Sequence, residues 1–287
     1  MKYLLLSTGL LAAACQPQNK PTATGAAPPA AEAPVSAVAV RKPAPVTAAP
    51  VAEPLPQNVF AFLAANNLAP LWQANFGQSA NTSARPTILD GFYGAEHRHI
   101  SVILEQVEQD ARQPNVFRVH GRTRYRKNIT PFDGTITVTG LKTLNGPIDL
   151  DSAAAAQARA YTATARFELH EEASAAGAGT YQGTALMDFY REASGKLNFV
   201  QEMPSSDLPT GGGGLLFRGQ WQSLRSGRRQ EVAFATYAQA VVPDAMQDLY
   251  IGDRGETVNP KYARLDWNEA WENDEWWAKS PKPKLSL

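Results

Sequence analysis

The sequence predicts a mainly β domain: an antiparallel meander of strands that closes into a β-barrel, with a short helix before it and another after it. Two observations carry this prediction. From residue 98 onward, apolar and polar residues alternate with a period of two, which is the pattern of strands with one buried face. Turn signals separate the alternating segments, and closing such a meander removes its exposed edges. A two-sheet β-sandwich is the alternative, because it uses the same strand pattern.

Composition divides the chain into three segments. Residues 1–14 form a predicted signal peptide, residues 15–56 a tether rich in proline and alanine, and residues 57–287 the β domain. Proline lacks a backbone donor and alanine buries little apolar surface, so the tether is expected to be disordered with polyproline-II character. At about 3.1 Å per residue, such a tether would span up to roughly 120 Å.

The formal net charge is zero, so no nucleic-acid partner is expected.

The first segment has the layout of an export signal. Lys2 supplies a positive charge, an apolar run follows, and residues 12–14 are the small residues before Cys15. A membrane-spanning helix needs about 20 apolar residues, and this run is too short for that. The segment is therefore expected to be removed. Because the chain has no second cysteine, an intramolecular disulfide is excluded and packing must hold the fold.

Residues 10–15 read Leu-Leu-Ala-Ala-Ala-Cys and resemble the lipobox of bacterial lipoproteins, although Ala12 stands where that family more often has leucine. The resemblance implies that the Cys15 thiol carries a diacylglycerol and its freed amine an acyl chain, which together anchor the protein in a membrane. Gln16 replaces the aspartate that in some bacteria retains lipoproteins in the inner membrane, so the outer membrane is implied. The alternative is an ordinary secretory signal with an incidental cysteine.

Short helices are predicted at both ends of the domain. Val59, Phe60, Phe62 and Leu63 predict one helix that ends near Asn66 and packs over an end of the barrel. Near the C-terminus, a second helix is predicted to begin at a capping aspartate, Asp266. Its tryptophans and those just beyond it are expected to pack on the domain: Trp267, Trp271, Trp276 and Trp277.

The clearest strand pair is a predicted hairpin of residues 98–108 and 117–126. In its second strand, cationic or titratable residues occupy every even position and form what we call the basic face: Arg118, His120, Arg122, Arg124 and Arg126. The turn between the strands predicts a register that places Glu105 near His120. The same register places Ser101 near Arg124.

Further strands are predicted by the same alternation at residues 132–139, 161–170, 180–190, 196–203, 215–224 and 229–236. In the first of these, Phe132, Ile136 and Val138 are expected to face inward. An aromatic-x-glycine signature recurs in the chain and ends at Gly94, Gly134, Gly183 and Gly219. Glycine inside a strand permits the sharp coil that a small barrel needs, so the signature indicates an architectural role.

Two further resemblances concern the β domain. Gly219-Gln220-Trp221 resembles the Gly-x-Trp signature of lipocalins, where the motif lies on the first strand and not near the last. Residues 92–277 resemble uncharacterised bacterial secreted and lipoprotein β-meander domains, through Tyr-Arg-Lys-Asn-Ile-Thr-Pro-Phe at 125–132 and Asp-Leu-Tyr-Ile-Gly at 248–252. These resemblances imply a β-barrel fold and a cell-envelope setting.

The basic face is the leading candidate for binding. Arginine offers paired donors to oxyanions, so this face suits the phosphates of lipopolysaccharide, an acidic glycan or an acidic envelope protein. The alternative is a solvated strand face whose arginines are neutralised by carboxylates such as Glu105 and Glu168.

Candidates for catalysis are weaker. His97 and His99 are two residues apart, so on a strand they would share a face and be able to chelate a metal. A group of acidic residues lacks the EF-hand spacing of a calcium site: Asp244, Asp248, Asp253 and Glu256. Gly-x-Ser-x-Gly and His-Glu-x-x-His are absent from the sequence. No cofactor or metal is therefore expected.

The sequence favours a non-catalytic envelope lipoprotein that presents a tethered binding domain, with a tethered hydrolase or metal-dependent enzyme as the alternative.

Overall fold

The computed structural model describes residues 56–73, 87–144, 158–200, 208–252, 257–268 and 276–277. All of them lie within the unit Val51–Leu287. The predicted signal peptide, Cys15 and nearly all of the predicted tether lie outside the described residues, so the lipobox stays a prediction. Among the described residues, none of the helices combines the length and the apolar character needed to cross a lipid bilayer.

Two short helices, α1 (Gln57–Ala65) and α2 (Ala69–Trp72), precede the strands. Val59 and Leu63 lie four residues apart on α1 and are both buried, as an amphipathic helix requires. Asn66 follows α1 in an extended conformation. The predicted end of this helix is therefore confirmed.

Within the described ranges, nine strands form one antiparallel sheet and two more pair with each other. The sheet strands are β1 (Leu89–Tyr93), β2 (Arg98–Gln109), β3 (Val116–Tyr125), β4 (Asn128–Thr143), β5 (Arg159–Glu171), β6 (Gly179–Arg191), β7 (Leu197–Phe199), β8 (Gly214–Ser223) and β9 (Arg229–Ala235). The separate pair is β10 (Tyr250–Ile251) and β11 (Thr257–Val258). The prediction of a mainly β, antiparallel fold is confirmed.

The strand pairings run in a ring. Neighbours follow the order β5-β4-β3-β2-β1-β9-β8-β6-β7, and β5 also pairs with β6. Strand β5 therefore has β4 on one edge and β6 on the other. At the opposite side, β1 pairs with both β2 and β9. Strand β7 pairs only with β6 and lies outside the ring. Each of the other eight strands has a partner on both edges, which satisfies backbone donors and acceptors.

Strand β1 has no counterpart in the sequence prediction. Asp90 and Gly91 interrupt its apolar residues, and both residue types are rare in strands. The glycine is required by tertiary structure, because a Cβ at Gly91 would lie 1.8 Å from the carbonyl oxygen of Ala233 on β9. The strand predicted at 196–203 is observed at β7, and residues 201–203 lie outside the described part of the chain.

The signature glycines lie where strands approach closely. Gly183 on β6 is opposite Gly219 on β8. A Cβ on Gly183 would lie 2.2 Å from the carbonyl oxygen of Arg218, and a Cβ on Gly219 would lie 2.1 Å from that of Gln182. Any larger residue would push the strands apart, so these two glycines permit close approach of the strands. The strand register is continuous at this point. Gly94 differs, because it lies in the β1–β2 turn with a φ of 72°.

Side chains fill the inner side of the sheet. The Trp72 ring of α2 lies 6.3 Å from that of Phe117 and 6.2 Å from that of Phe217. Phe217 in turn stacks on Phe234, with ring centroids 4.9 Å apart. All four side chains are fully buried, and burial of one phenylalanine contributes about 1.5–3 kcal/mol. The aromatic core therefore occupies the space that a large internal ligand would need.

A second apolar cluster covers the outer side of β1, β8 and β9. Phe92 and Leu216 face outward there and pack beneath the segment that follows β9. Trp267 in that segment is fully buried, and its indole N–H donates to the carbonyl oxygen of His97 at 2.9 Å. The predicted packing of Trp267 on the domain is confirmed.

Asp266 ends a helical turn and does not begin one. It follows the 3-10 helix Pro260–Leu265 and has a left-handed φ of 67°, whereas an N-cap residue is extended. Its carboxylate accepts a hydrogen bond from Arg98 at 3.0 Å, which ties this corner to β2. Trp276 is buried as predicted, and Trp271 lies outside the described residues.

Candidate functional site

The basic face lies on the outer side of β3, and its position relative to β2 is as predicted. Ser101 pairs with Arg124 across the two strands. A bulge after Leu104 shifts the register, and the Glu105 carboxylate lies 3.8 Å from Nε2 of His120. The predicted proximity of Ser101 to Arg124 and of Glu105 to His120 is therefore confirmed. The alternation of apolar and polar residues did not predict the bulge.

Carboxylates lie beside most of the basic face. The three pairs are Arg118 with Asp110 at 2.8 Å, His120 with Asp133 at 2.9 Å, and Arg122 with Glu105 at 3.2 Å. The backbone N–H groups of Arg112 and Gln113 hold the pKa of the Asp110 carboxyl below its usual value, with a further contribution from Arg118. Water screens the pairs of the exposed Arg118 and His120, so these two pairs contribute little to stability. They do reduce the net positive charge of this surface.

The C-terminal tryptophans cover the other half of the basic face. Arg122 donates from Nη1 to the carbonyl oxygen of Trp277 at 2.5 Å, and the Arg124 guanidinium lies 5.3 Å from the ring centre of Trp276. Arg124 is only 9% exposed. Arg126 leaves the strand and starts the β3–β4 turn with a φ of 56°. The basic face is therefore not one continuous exposed surface, because alternation predicts side-chain direction and not what packs above it.

A groove of about 790 Å³, which we call the outer groove, lies on the outer side of β2–β5. Its lining residues carry charges of both signs: Gln106, Glu108, Arg118, Val119, His120, Asp133, Gly134, Thr135, Glu168 and His170. Arg118 and His120 are the two members of the basic face that line it. Glu168 and His170 join them because β5 pairs with β4, which places Glu168 opposite Thr135. The predicted meander makes β4 and β5 neighbours, but their register was not predicted.

His97 and His99 do not share a strand face. His97 ends the β1–β2 turn with a φ of 53°, and its ring lies 4.8 Å from that of Phe92. His99 is buried on β2, 4.9 Å from the Trp267 ring. The metal-site prediction assumed that both histidines lie on one strand, but His97 belongs to the turn before β2. Within the described ranges, no three His, Cys, Asp or Glu side chains gather closely enough to hold a metal ion.

Asp90, His99 and Ser101 form a hydrogen-bonded cluster on β1 and β2. Oδ1 of Asp90 accepts from the Ser101 hydroxyl at 2.7 Å and lies 2.8 Å from Nε2 of His99. In a nucleophilic triad the serine donates to the histidine, whose other nitrogen donates to the carboxylate. Here the serine donates to the carboxylate and is fully buried. The cluster fastens β1 to β2 and presents no accessible nucleophile.

Asp248, a member of the predicted acidic group, is held by its own segment. Its carboxylate accepts hydrogen bonds from Lys261, Tyr262 and Asn259. Lys261 is the largest cause that keeps the pKa of Asp248 below its usual value. Asp253 and Glu256 lie outside the described residues, so the calcium alternative gains no support from this segment.

A smaller pocket of about 230 Å³ opens at the end of the ring where the β3–β4 and β5–β6 hairpins turn. We call it the hairpin-end pocket, and it is lined by Tyr93, Thr123, Tyr125, Asn128, Thr130, Glu171, Ala176, Gly177, Tyr181 and Trp221. The residue that sets its chemistry is Glu171, the last residue of β5, which is 7% exposed. A buried carboxylate requires hydrogen-bond partners.

Four neutral groups donate to Glu171. Oε1 accepts from the Thr123 hydroxyl at 2.8 Å and from the Tyr181 hydroxyl at 3.2 Å. Oε2 accepts from the Gly179 backbone N–H at 2.9 Å and from the indole N–H of Trp221 at 3.1 Å. An ionised carboxylate has about four lone-pair sites, so these four donors occupy all of them.

Aromatic rings form one wall of this pocket. The Tyr93 ring lies 4.5 Å from that of Tyr125 and 5.4 Å from that of Trp221. Burial raises the pKa of the Tyr93 and Tyr181 hydroxyls well above their usual value. Both hydroxyls therefore stay neutral beyond the pH at which an exposed tyrosine ionises.

The sequence contained a signal for Glu171. Phe167 and Leu169 face the core, and the same period of two places residue 171 on the inner side. A carboxylate at an inward position of a strand is unusual, and it marks a site where polar groups must converge. The predicted strand 161–170 ends one residue too early to include it.

The fold and these concavities define a mainly β protein with an antiparallel ring of strands, a polar groove on its outer side and an aromatic pocket at one end. Comparison of the chain with protein-family models, with curated proteins and with solved structures gives no significant match.

Proposed function

We propose that this chain is a lipid-anchored protein of the bacterial cell envelope that presents a non-catalytic β-barrel on a disordered tether. Cys15 is the proposed anchor, in the outer membrane, and the barrel binds an anionic ligand, an acidic glycan or an envelope protein. The observation that carries the binding proposal is the outer groove, where Arg118 and His120 of the basic face are exposed to solvent.

The strand pairings support the barrel. A sandwich leaves an unpaired edge on each of its sheets, whereas the β5–β6 and β1–β9 pairings give every strand of the ring two neighbours. The packed aromatic core directs a ligand to the outer surface or to an end of the barrel. This supports a binding surface outside the barrel over a large internal cavity.

The outer groove suits an anionic partner through a small number of contacts. The Arg118 side chain is 73% exposed, so its guanidinium remains open to a second oxyanion while it contacts Asp110. Glu108, Asp133 and Glu168 on the same surface repel anions that approach in the wrong orientation. Selectivity therefore comes from the arrangement of both signs of charge and not from net charge.

The binding proposal is tested with an acidic glycan. Binding of the full chain to immobilised polygalacturonate is measured for the wild type, for the Arg118→Ala, His120→Ala double variant and for Arg166→Ala. Arg166 is the matched control, an exposed arginine of β5 outside the groove. Loss of a charge-assisted contact worth about 1.4 kcal/mol weakens binding roughly tenfold.

We expect that loss in the double variant alone and a further loss at high salt for all three proteins. Equal binding by the double variant and the wild type would remove the outer groove from the proposal. Absence of wild-type binding both to polygalacturonate and to lipopolysaccharide micelles would remove anionic glycans and lipid phosphates as its ligands.

The anchor is tested by metabolic labelling with an alkyne fatty acid. The wild type is expected to carry the label and to sediment with outer membranes, whereas Cys15→Ser is expected to lose the label and to appear in the soluble fraction. Label or membrane sedimentation retained by Cys15→Ser would show that the anchor lies elsewhere. The alternative of a hydrolase or metal-dependent enzyme gains no support from Ser101, which is buried, or from His97 and His99, which belong to no three-residue metal-binding group among the described residues.

A further inference from the structure

We propose that the hairpin-end pocket and the cleft beside it bind a zwitterion that carries a quaternary ammonium group and an oxyanion. This site is separate from the outer groove, so it does not depend on the proposed function. Its elements are the Glu171 carboxylate, the aromatic wall and two cations of the β3–β4 turn.

The charge of Glu171 attracts a cation. All four of its hydrogen-bond donors are neutral groups: Thr123, Tyr181, Gly179 and Trp221. These donors disperse the negative charge but do not cancel it. At 7% exposure the carboxylate lies in a low-dielectric environment, where its field is screened less than at the surface. A cation that enters the pocket is therefore stabilised.

The type of cation follows from the hydrogen bonding. A primary ammonium needs acceptors for three N–H groups. The four donors already occupy the lone-pair sites of Glu171, so a primary ammonium would enter with unmet N–H groups, at a cost of about 1–3 kcal/mol for each buried one. A quaternary ammonium has no N–H groups and carries the same charge. The pocket therefore favours the methylated form.

The aromatic wall favours the same group. The rings of Tyr93, Tyr125 and Trp221 meet at centroid distances of 4.5 and 5.4 Å, and such electron-rich rings attract a cation placed over a face. The Tyr125 ring already shows this property, because the Arg126 guanidinium lies 5.5 Å from its centre. Aromatic side chains are the usual environment of quaternary ammonium ligands.

The anionic half of the ligand has its own place. A cleft of about 510 Å³ is lined by Arg98, Arg126, Lys127, Asn128 and Asp266. Arg98 is ion-paired with Asp266 at 3.0 Å, so Arg126 and Lys127 provide the net positive charge. Such a pair of cations suits a phosphate or carboxylate group.

The two concavities are adjacent. Asn128 lines both of them, and the Arg126–Tyr125 contact joins the cleft to the aromatic wall. Arg126 and Lys127 of the cleft therefore give the pocket a positively charged rim. A simple cation is repelled by this rim, whereas a zwitterion satisfies the carboxylate and the rim together.

The test uses phosphocholine as the probe and the full chain as the protein. Isothermal titration calorimetry measures binding of phosphocholine, choline, phosphoethanolamine and inorganic phosphate, and intrinsic tryptophan fluorescence gives an independent signal. We expect phosphocholine to bind at least about tenfold more tightly than each of the other three, because each of them lacks one of the matched groups. No binding of phosphocholine at millimolar concentration, or equal affinity for phosphoethanolamine, overturns the proposal.

Three variants assign the binding to this site. Glu171→Gln removes the charge and retains the shape, since its amide oxygen accepts from Gly179 and Trp221 while its NH₂ donates to the two hydroxyls. Lys127→Ala removes an exposed turn cation and cannot disturb the core. Lys142→Ala is the matched control, an exposed lysine at the far end of β4.

We expect the first two variants to weaken phosphocholine binding about tenfold and Lys142→Ala to leave it unchanged. Equal losses for Lys127→Ala and Lys142→Ala would show a non-specific charge effect and refute the site. Retention of binding by the Arg118→Ala, His120→Ala variant separates this site from the outer groove.

The source of the zwitterion is resolved by vesicles. If phosphatidylcholine vesicles sediment the protein and free phosphocholine competes, the ligand is a lipid headgroup. If only the soluble probe binds, the ligand is a free zwitterion.

Discussion

The two ends of the strand ring differ in chemistry. At the end where β5 begins and β6 finishes, Phe62 of α1 packs against Tyr161 and Phe189 with ring centroids 5.2 and 6.3 Å apart. At the opposite end, the β3–β4 and β5–β6 hairpins surround Glu171 and its hydrogen bonds. Apolar side chains close the helix end. The hairpin end holds a carboxylate that has all its hydrogen-bond partners and lies close to solvent.

Because of this difference, the helix end is expected to contribute to stability, and the hairpin end to both stability and ligand binding. Apolar burial is non-directional, and its contribution grows with the area removed from water. A buried carboxylate contributes to stability only while its hydrogen bonds are made. We therefore expect changes at the helix end to affect unfolding alone, and changes at the hairpin end to affect both unfolding and binding.

The largest expected effect is at the helix end. Trp72→Ala removes a fully buried ring that contacts Phe117 and Phe217, and a cavity of this kind lowers the free energy of unfolding by about 3–5 kcal/mol. Urea denaturation of the full chain measures it. Phe60→Ala is the control on α1, where the ring is 42% exposed, and should change stability by less than about 1 kcal/mol. Similar losses from both variants would contradict a closed apolar end.

The next effect is at the hairpin end. Glu171→Leu leaves the N–H groups of Gly179 and Trp221 without an acceptor, and neither can turn away. We expect a loss of about 2–4 kcal/mol in the free energy of unfolding. Glu171→Gln should lose less, because its amide can meet all four partners.

Glu168→Gln provides the control for these two variants, since Glu168 lies on the outer side of the same strand and is 57% exposed. It should unfold like the wild type in urea. If Leu and Gln at position 171 were equally stable, the carboxylate network would have no structural role.

The smallest effect is the response to alkali. Burial raises the pKa of Tyr93, Tyr181 and Tyr250 in the folded protein, whereas the unfolded chain loses these protons near pH 10. Above about pH 10 the unfolded state binds fewer protons, so stability falls as pH rises; below it the contribution is fully present. Tyrosinate absorbance at 295 nm, followed beside circular dichroism, should show one group of tyrosines that ionises only as the protein unfolds. Complete ionisation before any loss of ellipticity would contradict the burial.

Local pattern was sufficient for much of the fold. The alternation of β3 predicted its outward residues, and the turn before it predicted the pairing of Ser101 with Arg124. These features depend on residues close in sequence, because the period of a strand and the length of a turn set both. Strand β1 was not predicted, because a glycine inside a strand is unusual. The reason for Gly91 is its close approach to the carbonyl oxygen of Ala233, which is distant in sequence.

The candidate sites were less predictable than the strands. Arg118 and His120 were identified by alternation, but the cover of Trp276 over Arg124 depends on a segment more than one hundred residues away. Glu171 lay on an inward position that alternation reveals. Its four donors come from β3, β6 and β8, and no local rule assembles those strands around it.

The sequence by itself determined the direction of side chains along the strands and the first hairpin. The arrangement of leader, tether and domain stays a prediction. Tertiary structure decided the register of the strand pairs beyond the first hairpin, which arginines remain exposed and where Glu171 finds its partners. The physical reason is range: dihedral preferences and the period of two act within a few residues, whereas burial and hydrogen-bond satisfaction depend on whatever the whole chain brings together.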